Sequence, residues 1–263
     1  MNIPFSFRRF WHVLLWTLAY QMRQLLTLFS AAVVAFIAVE IPEFVQARNV
    51  YMYYRLSLHH EWHETIVSDA LRHVSEVCLA VGALLMCLGA VFAFYHLHRK
   101  NEGRRLLMLP ATNIEKFLAR WVVYVPVWFV LLLVAFMVAD VLRMAIWPAF
   151  STEITFPTAI PQFLFNLKQL VVWPSGLRSA AILLLWGLFW FFHSLSLLSS
   201  VWIGRWGWVL VAVVFFAVIA LFIKADYRGA NVAVFYLLAV ALTIVAYWLF
   251  CRFPKYKLFH FND

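Results

Sequence analysis

Few residues in this chain have the types and spacing to do chemistry, and they fall in three places. The first is His59-His60-Glu61-Trp62-His63-Glu64. On a helix His59 and His63 stand one turn apart, which is chelating geometry for a metal with a glutamate beside it. The pattern is not H-E-x-x-H, because His63 comes one residue early. A solvated polar helix start is therefore the leading reading, and a metal site on His59 and His63 the minor one. The second place is the polar run His193, Ser194, Ser196, Ser199 and Ser200 inside an apolar stretch. Ser196, Ser199 and Ser200 share a helix face, which must turn towards other helices rather than lipid. Helix–helix hydrogen bonding is the first reading and a translocation-path lining the second; His193 is the one candidate proton relay. The third is the basic segment Arg99, Lys100, Arg104, Arg105, Lys116 and Arg120, opposed only by Glu102 and Glu115. It suits contact with a soluble acidic partner or with anionic headgroups.

The elements that position these residues are apolar helices. Of 263 residues, 65% are hydrophobic and 13% charged, against about 25% charged in an ordinary soluble domain. Mean hydropathy is +0.86. The expected fold is all-α, a single polytopic transmembrane domain over 1–263. Six spans are predicted at about 25–41, 77–95, 117–139, 179–204, 206–223 and 230–251. Each is a continuous apolar run rather than an alternating one, so helices and not strands are indicated. Residues 4–24 are aromatic and basic. They read either as an interfacial helix bending into the first span or as a long start to that span.

Six spans put both termini on one side. With the N-terminus inside, 13 Lys and Arg lie inside and 8 outside, which favours N-in, C-in. The net charge of +9 then serves topology and anionic lipid, and no nucleic acid is implied. The outer segments are 43–76 and 140–178. In the first, Ile66, Ala70, Val74 and Cys78 fall four apart, which predicts a helix running directly into the second span. In the second, 162–172 is apolar but too short to cross, so a surface-lying or re-entrant helix is expected. Asp140 and Arg143 stand at i, i+3 and are expected to pair near the interface. No span carries a charge near its middle, which argues against a proton-coupled carrier. Cys78, Cys87 and Cys251 show no CxxC spacing and read as small core residues. No cleavable leader is evident.

The loop at 96–116 joins the second and third spans. Asn101-Glu102-Gly103 signals a turn and Pro110 breaks what precedes it. Thr112-Asn113-Ile114-Glu115 has the S/T-x-x-E form of a capping box, so the third helix is expected to begin there. Lys116 and Arg120 would then face the headgroups. Pro126 lies inside that helix and predicts a kink. No glycine precedes a lysine, which excludes a P-loop, and neither G-x-S-x-G nor G-x-G-x-x-G occurs. The chain is read as no enzyme itself.

The layout resembles an ABC-2 type transporter permease subunit: an N-terminal interfacial helix, six spans, termini inside and a basic loop between spans two and three. The phrase LLMLPATNIEKFLARW, Leu106 to Trp121, is similar to such permeases of Bacteroidetes-type bacteria. One difference is the loop between spans five and six. That family commonly places short outer helices there, and this chain has only about six residues. The resemblance implies a multi-pass protein of the bacterial inner membrane. Its partners would be an ABC ATPase subunit and a second permease subunit, identical or different, with membrane lipids around them. It implies that Arg99, Lys100, Arg104 and Arg105 contact the ATPase, which would carry ATP and Mg; this chain would hold no cofactor. The alternative is a non-enzymatic membrane interaction or sensor protein using its outer segments.

Overall fold

The structure, a computed structural model, describes residues 5–55, 62–94, 108–151, 154–171, 178–203, 206–224 and 232–258. Among the described residues every regular element is helical. In chain order these are α1 Phe7–Arg55, α2 Trp62–Phe92, α3 Asn113–Val122, a π turn Val123–Val127 and α4 Trp128–Ile146. After a 3-10 turn at Trp147–Ala149 come α5 Ile160–Val171, α6 Arg178–Trp202, α7 Gly207–Lys224 and α8 Val232–Leu258. Five helices are long and apolar enough to cross a membrane: Phe7–Tyr53, Glu64–Phe92, Asn113–Ala149, Leu183–Trp202 and Val234–Arg252. By length and composition the chain is a multi-pass membrane protein.

α1 decides one open reading and corrects one expectation. Among the described residues, those from Phe7 to Gln24 form a long start to the first span rather than a separate interfacial helix, and the helix does not stop at Ile41. It runs unbroken for 49 residues, at about 1.5 Å per residue more than twice a hydrocarbon core of about 30 Å. From Phe5 to Ile41 there is no Gly or Pro to break it. One buried stripe continues at helical spacing through Phe10, Leu14, Thr17, Gln21, Leu25, Ala32, Phe36, Glu40 and Phe44. Pro42 is passed because packing grips both sides of it. Phe36 meets the edge of Phe136 at 5.7 Å, and Phe44 packs on Phe156 at 4.8 Å and Trp147 at 6.1 Å. That burial outweighs the roughly 3 kcal/mol an interior proline costs.

α2 is one continuous helix, as its four-residue spacing predicts. Pro126 does disturb its helix, through a π turn. A proline has no N–H to give and its ring crowds the preceding turn. The widened turn takes up the extra residue, and the Trp128 N–H reaches the Val123 carbonyl.

The chain divides into two compact units. One comprises 1–23, 86–129 and 176–263. In it, α6 packs on α7 and α8, around Cys87, Val91, Phe192, Leu195 and Val211. The other comprises 24–85 and 130–175. There α5 is held by Phe163 stacked on Phe136 at 3.9 Å and by Asn166 donating to the Ser75 hydroxyl. The short apolar helix expected near 162–172 is α5. Cys78 and Cys87 are buried and free, as core residues should be.

Candidate functional site

Arg99, Lys100, Arg104 and Arg105 lie outside the described residues, as does His59; of His63 only its place in the first turn of α2 is described. The basic segment is therefore approached through its two flanks, both in the first unit. On the far flank the capping box is formed. The Thr112 hydroxyl accepts from the Glu115 N–H at 3.3 Å, and Glu115 Oε2 accepts from the Thr112 N–H at 2.8 Å. Two open amides at the start of α3 are satisfied reciprocally.

Glu115 does more than cap. Its Oε1 accepts from the Ser6 N–H at 2.7 Å and from Arg9 Nη2 at 3.1 Å. One buried carboxylate thus pins the beginning of α1 onto the beginning of α3. The acceptor set is charge-assisted and fixes direction as well as distance.

Lys116 and Arg120 do not face the headgroups: both are buried. Arg120 Nη1 donates to the Ala93 carbonyl at 2.9 Å, and its guanidinium lies 5.6 Å from the Phe94 ring centre. Ala93 follows the last residue of α2, where carbonyls lack a helical partner and the dipole favours a cation. Beside this bond Phe94 stacks on Phe117 at 5.2 Å, and both rings meet Phe250 of α8 at 5.3 and 5.7 Å. The two ends of the basic segment are therefore tied to each other, to α8 and to the start of α1. No such tie is visible in the sequence, because its partners stand 23 and more residues apart.

The polar run of α6 is buried, and most of its bonds stay within the helix. Ser196 donates to the Phe192 carbonyl, Ser199 to Ser196 and Ser200 to Leu197, each at 2.8 Å. Thr243 of α8 donates across to Ser194 at 3.0 Å. Ser199 also sets a close approach: a Cβ on Gly207 would meet its Oγ at 2.8 Å and its backbone at 3.0 Å. Gly207, which the sequence alone did not single out, lets α7 start against α6. These contacts are those of helix packing. His193 hydrogen-bonds the backbone at Tyr124 in the π turn, where the irregular ladder leaves backbone groups to be satisfied. His193 Nε2 and the Tyr124 hydroxyl are buried with no other partner among the described residues.

The second unit holds a charged cluster. Asp140 and Arg143 do pair, Oδ1 lying 2.6 Å from Nη2, with neither side chain exposed. Glu40, also without exposure, lies 3.7 Å from Arg143 Nε. Glu40 lies within α1, which runs on past the end expected for the first span at 41.

Among the described residues no group of three His, Cys, Asp or Glu is placed to hold a metal. No family model matches the chain, and no curated protein and no solved structure shows significant similarity to it.

Proposed function

We propose that this chain is the membrane-spanning permease subunit of an ABC-2 type exporter in a bacterial inner membrane. A separate ATPase subunit would hydrolyse ATP and push on the basic segment. A second permease subunit would complete the path. The observation that carries this reading is the bracing of that segment's flanks. The Arg120–Ala93 bond, the Phe94–Phe117–Phe250 cluster and the Glu115–Arg9–Ser6 link join its ends to α1, α2, α3 and α8. A push delivered there reaches four helices at once instead of being absorbed by a slack loop. Arg99, Lys100, Arg104 and Arg105 supply the positive charge that an acidic ATPase surface would complement.

α7 is the sixth crossing in this reading. It has 18 residues, about 27 Å of helix, which covers most of a core about 30 Å thick. Six crossings would return the C-terminus to the side of the N-terminus, and the excess of basic residues in 99–120 favours the cytosol for that side.

The test is purification from the native host with single cysteines placed between 99 and 109 for crosslinking. The expected result is a P-loop ATPase that co-purifies and crosslinks there, and is lost in Arg104→Glu/Arg105→Glu. Labelling of those cysteines from outside intact cells overturns the reading. So does a native complex without an ATPase, or a charge reversal that leaves the complex intact.

A further inference from the structure

The unit formed by 24–85 and 130–175 encloses two carboxyl groups and one guanidinium, Glu40, Asp140 and Arg143, none of them exposed. If all three were ionised, one negative charge would remain uncompensated in the interior. The sharing of donors decides which carboxyl group is the surplus one. Asp140 is saturated. Its Oδ1 accepts from Arg143 Nε at 3.0 Å and Nη2 at 2.6 Å. Its Oδ2 accepts from the Thr158 hydroxyl and from the Ala159 N–H at 2.9 Å. Four donors on two oxygens is the environment of an ionised carboxylate.

Arg143 gives its Nε and Nη2 to that same partner, and its Nη1 has no hydrogen-bond partner among the described residues. Its Nη2 also donates to the Pro157 carbonyl at 3.0 Å, and its plane lies 4.3 Å from the centre of the Phe44 ring. Glu40 is left over. Neither of its oxygens has a hydrogen-bond donor among the described residues. The guanidinium atom nearest to it is Nε, already committed to Asp140. A dry carboxylate without donors is costly by several kcal/mol, and binding a proton removes that cost.

We propose that Glu40 is a proton-binding site. In the arrangement described it is the carboxylic acid, with the proton on one of its Oε atoms. It releases that proton to water when the cluster opens and takes one up when it closes; no other bond changes. The ionisable groups around it are Asp140 and Arg143 from α4, Cys78 from α2 and Glu43 on α1 itself. The segment 154–159 contributes none. Asp140 repels a second negative charge, and Arg143 is already neutralised by Asp140.

An approach for the proton is at hand. Glu43 stands at i+3 from Glu40, on the same side of α1. It lines an open cleft of about 220 Å³ together with Asp69 and His73. His73 Nε2 lies 3.5 Å from the Glu43 carboxylate. A line of proton-exchanging groups thus starts at the surface and ends one helical turn from Glu40. This inference does not depend on an ATPase partner.

The test is infrared spectroscopy of the full chain in lipid nanodiscs, with ¹³C placed on glutamate side-chain carboxyls. At neutral pH the wild type should show an isotope-sensitive C=O stretch of a protonated glutamic acid. Glu40→Gln, isosteric with the protonated form, should lose that band, and Glu43→Gln should keep it. Absence of the band in the wild type overturns the proposal with no variant needed. So does a band that survives Glu40→Gln. If Glu40→Gln does not assemble, Glu40→Asp in glutamate-labelled protein must lose the band instead, and its persistence there is equally fatal.

Discussion

Gly89 is the position where the packing makes its sharpest demand. A Cβ built there would stand 2.3 Å from Trp128 Nε1, 2.5 Å from its Cδ1 and 3.0 Å from its Cε2. The obstacle is the rigid body of an indole, not the tip of a flexible chain, and Trp128 is 1% exposed. It has nowhere to swing. Overpacking of this kind costs about 1–3 kcal/mol. Replacing a helical glycine by alanine returns about 1 kcal/mol of propensity. Gly89→Ala should therefore come out destabilising by up to roughly 2 kcal/mol. Gly82, two turns earlier on α2, is the control. A Cβ there meets only the Phe36 ring tip, at 3.9 Å, an ordinary contact, so Gly82→Ala keeps the propensity gain. The two variants have the same chemistry and opposite expected signs. At roughly 2–4 °C per kcal/mol for a chain of this size, they should separate by about 2–12 °C in Tm. The assay is thermal unfolding of the detergent-solubilised protein, followed by loss of the monodisperse chromatographic peak. A second arm adds Trp128→Ala to Gly89→Ala. Trp128→Ala removes the whole indole; in that background Gly89→Ala should lose its cost, a recovery beyond simple additivity. Equal Tm values for Gly89→Ala and Gly82→Ala, or no recovery in the double variant, would refute the reasoning.

Two further outcomes follow from the buried charges. Arg143→Ala leaves Asp140 without its principal partner in a dry site and should cost about 3–5 kcal/mol. The same chromatographic assay reads it, and a wild-type Tm would show that the pair is not buried. Glu115→Ala removes the acceptor of Ser6, Arg9 and Thr112 together, so the start of α1 should come loose. Trypsin should then cut after Arg8 or Arg9 faster than in the wild type. Thr112→Ala, which gives up one cap bond worth about 1 kcal/mol and keeps the Arg9 pair, should leave that cleavage rate nearly unchanged.

What the sequence made legible was whatever depends on near neighbours. The capping box at Thr112 and Glu115 is a three-residue signal and is formed. The helical continuity of 66–78 is a four-residue signal and holds. The short helix near 162–172 follows from the length of an apolar run, and Asp140 does meet Arg143 at i+3. Among the described residues, five helices long and apolar enough to cross a membrane fall on five of the six apolar runs. What failed was the expectation that Lys116 and Arg120 face the headgroups, because hydropathy averages over a window and treats every charge as a boundary. A charged side chain near a span end has two ways to be satisfied. It can reach water, or it can find a carbonyl, an aromatic face or a counter-charge inside. Arg120 takes the second way through Ala93 and Phe94, and Arg143 through Asp140, Pro157 and Phe44. Several of those partners are far off along the chain, so periodicity cannot announce them. Helix termination at Pro42 failed for the same reason. Local propensity argued for a stop, and contacts between Phe44 and residues more than 100 positions away overrode it. The contacts that brace the basic segment and the residues that surround Glu40 both bring together positions far apart along the chain, which local pattern does not encode.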